Sequence, residues 1–120
     1  MPRRDIKLSA IDLLHEEFAR EKASALGRLG RALEVALAAL ARFDAGERRD
    51  TSHAGERQLR ATLVAEASDA LWHFVVQREA CGLRDLRYVL RDYRVPSEVA
   101  ARMGALPDEG AKSRKVKRKV

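Results

Sequence analysis

Apolar residues recur along the first third of the chain at Ile11, Leu14, Phe18, Leu26, Leu29, Leu33, Ala36, Leu40 and Phe43. From Leu26 onward the spacing alternates between three and four, which is the signature of a coiled-coil-like helical seam. Lys22 falls where the stripe would otherwise continue, and the phase slips there. Gly27 and Gly30 follow, marking either a bend or the close approach of another helix. Ser9, with Asp12 three residues later, reads as a capping box. The pattern therefore predicts a short arm over residues 1–8 and one long helix over about residues 9–43.

Residues 44–58, DAGERRDTSHAGERQ, are polar, contain two Gly, and predict a loop. A second helix is expected from about Glu56 to Cys81, with Leu59, Leu63, Ala67, Ala70, Leu71, Phe74 and Cys81 on one face. Gly82 suits the position just past its end. Residues 83–95 predict a third helix with Leu83, Leu86, Val89, Leu90 and Tyr93 inward, stopped by Pro96. Ser97 then reads as the N-cap of a short fourth helix ending at Gly104. The fold expected is all-α: a long helical hairpin followed by two shorter helices, packed as a small bundle over residues 9–105. Residues 106–120 are expected as a disordered tail.

Composition supports helix and narrows the setting. Ala, Leu, Arg and Glu dominate the 120 residues, and only three Pro occur. No apolar run approaches the roughly 20 residues that span a bilayer. A single Cys and no apolar leader predict a reduced cytoplasmic protein with no membrane role. The net charge of +6 is local. Lys112, Arg114, Lys115, Lys117, Arg118 and Lys119 supply it, and residues 1–111 are formally neutral. Such a tail is a solvated end or an electrostatic arm for nucleic acid.

Residue types that carry chemistry cluster in ALWHFVVQREACGLRD, residues 70–85. His73 and Cys81 are separated by about 12 Å of helical rise, too far for a Cys–His nucleophile pair on one helix. Cys81 falls on the apolar face, as a small hydrophobe. Asp69–His73 and Asp12–His15 could each pair, but neither has the Glu-x-x-His form of a bundle metal site. No Ser-His-Asp set, Gly-rich phosphate loop or CxxC appears, so neither catalytic residues nor a metal or cofactor site is expected. Trp72 is different. It lies opposite the core face beside Val76, and predicts either a subunit interface or packing under the third helix or the C-terminal segment. Arg84, Arg87, Arg91 and Arg94 form a stripe that grips phosphates, stays solvated, or pairs with acids such as Asp12, Glu16, Glu17 and Glu21. The third and fourth helices also have helix-turn-helix order, but Glu98, Ala100, Ala101 and Arg102 make a poor base-reading face.

The strings ALWHFVVQREACGLRD and VPSEVAARMG resemble a family of small bacterial helical proteins carried as a domain of unknown function, over roughly residues 60–105. The resemblance implies a small helical protein and no activity. Taken together, the sequence predicts a non-enzymatic helical interaction protein. A homodimer is expected, because the first helix outreaches the second and Trp72 faces outward. Nucleic-acid association through the tail and the Arg stripe is the alternative.

Overall fold

The computed structural model describes residues 2–47 and 52–103, with side chains from residue 9 onward. It is all-helical: α1 (Pro2–Asp44), α2 (His53–Ala80), α3 (Leu86–Asp92) and α4 (Ser97–Met103). The tail cations Lys112, Arg114, Lys115, Lys117, Arg118 and Lys119, and the expected stop at Gly104, lie outside the described residues.

Helix α1 starts at Pro2, not at Ser9. Proline is favoured at the first helical position, where its missing N–H costs nothing. The Ser9–Asp12 capping box therefore lies inside a helix, and residues 2–8 are helix rather than a separate arm. The helix passes Gly27 and Gly30 without a break. Of the two alternatives for these glycines, Gly30 realises the close approach. A Cβ there would sit 3.1 Å from Tyr93 Oη and 3.2 Å from Phe74 Cε1.

Helix α2 also starts earlier than expected, at His53, and takes in part of the predicted loop. Ser52 is its N-cap and its side chain accepts from Gly55 N at 3.1 Å. Its far end carries the predicted Gly82 in the left-handed conformation, φ +84. Gly82 N–H donates to Glu79 O and Leu83 N–H to Arg78 O, which is a Schellman motif.

The two helices run antiparallel, since Asp44 at the end of α1 meets Arg60, while Gln77 Nε2 donates to Lys22 O. Leu33 and Leu40 from α1 pack with Val64, Ala67, Leu71 and Phe74 from α2, and Phe43 is also buried. Each Leu, Val or Phe among them contributes about 1.5–3 kcal/mol when fully buried. The buried face of α2 is rotated from the predicted one. Leu59 is exposed and Cys81 half-buried, while Val64 and Ser68 are buried. The cause is α4, which lies along that side with Val99 and Ala100 buried. Ser68 Oγ donates to Val64 O and reaches Val99 O at 3.2 Å, so the one buried polar side chain among the described residues is satisfied.

Helix α3 is shorter than predicted. Asp85 caps it by accepting from Tyr88 N, so Leu83 and Arg84 precede it. At its other end Arg94 takes φ +53 and Val95 N–H donates to Leu90 O, a second Schellman turn, here without glycine. Ser97 is the first residue of α4 rather than its cap, and Pro96 O accepts from Val99 and Ala100 N–H.

Candidate interaction face

Helix α1 has 43 residues and α2 has 28, so the first spans about 64 Å and the second about 42 Å. The partner ends where Cys81 meets α1. There a groove of about 520 Å³ is lined by His15, Phe18, Ala19, Lys22, Ala23, Leu26, Ala80 and Cys81. Beyond the groove α1 has no companion among the described elements. Ile11, Leu14 and Phe18 are 47, 52 and 62% exposed, although the same stripe is buried further on at Leu33 and Leu40. At about 100° per residue these three point the same way as the buried stripe, so the seam continues past the helix that covers it.

The sequence-predicted residues fall in three places. Trp72 and Val76 are 52% and 43% exposed on the outer side of α2, and the Trp72 ring meets that of its neighbour His73 edge-on, at 5.2 Å. Helix α3 therefore does not cover Trp72. Arg87 and Arg91 lie on α3, whereas Arg84 precedes its cap and Arg94 occupies the left-handed turn after it. The expected four-residue helical stripe is thus two helical residues with one in each flanking turn, because Asp85 and Arg94 shorten the helix. Among the described residues none of the four forms an ion pair, so the expected pairing with α1 acids is absent within the chain. Arg91 instead stacks over Tyr88 at 5.9 Å.

The imidazole readings also change. His73 Nδ1 contacts the Asp69 backbone oxygen at 2.7 Å, not its carboxylate, so the expected ion pair does not form. His15 lines the groove that Cys81 also lines, which spacing along α2 alone could not reveal. No three metal-binding side chains converge among the described residues. Nor does α4 present a recognition helix, since Val99 and Ala100 are buried and Glu98 is held by Arg60.

That last contact belongs to a network the sequence reading missed. One edge of the Arg60 guanidinium donates to both oxygens of Asp44, at 2.9 and 3.2 Å, and the other edge reaches both oxygens of Glu98. Hydrogen bonds from Arg60 hold the Glu98 carboxyl below its ordinary range, and the bonds to Glu98 and then Asp44 hold Arg60 firmly charged. Burial, with Glu34 and Asp92 nearby, pushes the Tyr93 hydroxyl upward. Arg60 ties the end of α1 to α2 and α4. It sits at the opposite end of the hairpin from the open face.

No helix among the described residues is long and apolar enough to cross a membrane. A family model described as "Family of unknown function (DUF6665)" matches residues 1–112. No curated protein and no solved structure matches.

Proposed function

The chain belongs to this family of unknown function, and from the geometry above we propose that it is a non-enzymatic helical interaction protein that self-associates as a homodimer. One observation carries the reading: the apolar seam of α1 runs on past the end of α2, leaving Ile11, Leu14 and Phe18 exposed. A helix with an uncovered apolar stripe gains free energy from any surface that buries it. The chemistry of the patch favours binding over catalysis, since it presents aliphatic and aromatic carbon. A single cysteine suits a reduced, cytoplasmic setting.

The magnitude limits how tight such a dimer can be. Burying the exposed halves of three side chains from each copy yields about 4–9 kcal/mol. Association costs about 4 kcal/mol or more. The triad alone supports a weak dimer, and further contacts must set its strength. Sedimentation equilibrium across a concentration series is the test. The expected result is twice the mass of one chain at high concentration, with Phe18→Lys remaining at the mass of one chain. A wild-type protein that stays monomeric throughout would remove the proposal.

A second reading, nucleic-acid association, is supported by the Arg residues of the α3 region, which meet no carboxylate among the described residues. It predicts that duplex DNA binding falls steeply with salt and weakens in a chain ending at Gly110. Equal binding by the two forms, or none at low salt, would rule it out.

A further inference from the structure

The open face of α1 is bordered by opposite charges on its two sides. Measured from Phe18 at about 100° per residue, His15, Ala19, Lys22, Ala23 and Leu26 lie about 40–140° to one side. These are the α1 residues that line the groove with Ala80 and Cys81, so the end of α2 lies on that side. Arg84 follows Cys81 by three residues, within about 11 Å of chain, and Arg87 is the second residue of α3 just beyond. On the other side of Phe18, Glu21 and Glu17 lie about 60° and 100° away. Around Phe18 the face therefore has a carbon centre, a carboxylate border and, past the end of α2, a guanidinium border, while Asp12 lies further along α1 on that second side.

Neither border is held by a strong ion pair among the described residues. Among the described residues Glu17, Arg84 and Arg87 form no ion pair, and Glu21 meets only Arg28 of its own helix, at 3.7 Å with both side chains exposed. An exposed pair of that kind is weak and easily exchanged.

We propose that the occupant of this face is a second copy of the chain, related by a two-fold axis that runs along α1 past Phe18, with Glu17 and Glu21 of each copy set against Arg84 and Arg87 of the other. The inference rests on the self-association reading and specifies its surface. A two-fold interface must be complementary to itself, because whatever one copy presents at position i it meets at position j. A face bordered by one sign of charge on both sides would repel its own image. A face bordered by opposite signs attracts it, since the rotation carries each border onto the other. The apolar triad supplies the buried centre, and the crossed charges set register and partner choice.

Charge reversal with complementation tests the arrangement. The variant E17K/E21K carries two cationic borders, and R84E/R87E carries two anionic ones. Each alone should dimerise at least about tenfold more weakly than wild type, because both contacts become like-charged. An equimolar mixture should recover near-wild-type affinity as a heterodimer, seen by sedimentation velocity and native mass spectrometry. In that pairing both contacts are again opposite in sign. Helicity and melting of each variant are read by circular dichroism, and since all four positions are exposed, both should be kept. Reversed variants that dimerise like wild type, or a mixture no tighter than either alone, would overturn the arrangement while leaving self-association intact. A monomeric wild type would overturn both, and one that binds anionic vesicles through Phe18 would assign the face to a membrane surface instead.

Discussion

Two glycines three residues apart on α1 should respond differently to the same substitution. Replacing Gly by Ala inside a helix is worth about 1 kcal/mol of stability, because alanine loses less backbone freedom and covers the backbone. At Gly27 the new Cβ meets only Arg31 Nη1, at 3.4 Å, the far end of an exposed side chain. Gly27→Ala should therefore stabilise by about 1 kcal/mol, or about 4–8 °C in melting temperature for a domain of this size. At Gly30 the Cβ would meet Tyr93 Oη at 3.1 Å and Phe74 Cε1 at 3.2 Å. Those rings hold each other edge-to-face at 5.2 Å, and Phe74 is buried in the core, so neither can retreat freely. Overpacking of that kind costs about 1–3 kcal/mol. Gly30→Ala should thus lie between neutral and about 2 kcal/mol destabilising, since the gain in helix propensity offsets part of the clash. Urea unfolding followed by circular dichroism at one fixed protein concentration reads the difference. Adding Tyr93→Phe to Gly30→Ala removes the nearer contact and should recover part of the loss in a double-mutant cycle. Equal stabilisation by both alanines would refute the claim that Gly30 exists to admit the Tyr93–Phe74 pair.

Other perturbations probe the remaining joints. Arg94 adopts a left-handed conformation that costs a side-chain-bearing residue about 1–2 kcal/mol, so Arg94→Gly should stabilise by about 1 kcal/mol in thermal melts. Leu71 is fully buried, and Leu71→Ala should cost about 2–5 kcal/mol by urea titration. The Glu98 carboxyl is held below its ordinary range in the folded chain. Its contribution is therefore present at neutral pH and is lost as pH falls through that lowered value. Stability of wild type should drop more on acidification than that of Glu98→Gln, by about 1 kcal/mol or less because the pair is substantially exposed. Indistinguishable acid limbs would show that Arg60 does not depend on Glu98.

The hairpin was legible because both of its signals are local. The three-four alternation from Leu26 to Phe43 needs only a helical period, and Gly82 needs only the left-handed turn that follows a helix. The start of α1 was misread because Ser9 and Asp12 form an N-cap pattern that also fits comfortably inside a helix, and nothing near Ser9 forces the chain to stop. The Arg stripe was overextended for a related reason. A regular spacing assumes continuous helix, while Asp85 accepts from Tyr88 N–H and starts α3 late. The Arg60 clamp was invisible, since its partners Asp44 and Glu98 lie 16 and 38 residues away and no periodicity connects them. The open face was half legible. Its residues stood in the apolar stripe, but which of them α2 would leave uncovered depends on where Cys81 comes to rest.

The overhang of α1 has a consequence for how fast its backbone amides exchange with solvent. A helical segment without tertiary contacts is marginal in water, because each turn there is held by little more than its own hydrogen bonds. The amides around Ile11, Leu14 and Phe18 therefore open at little cost, while those around Leu33 and Leu40 open only when the hairpin itself does. Along a single unbroken helix, deuterium uptake should fall steeply between about Phe18 and Leu33, the stretch over which α2 begins to cover it. Dilution should raise uptake at the near end and leave the far end unchanged, so one helix carries both a gauge of occupancy and its own internal reference.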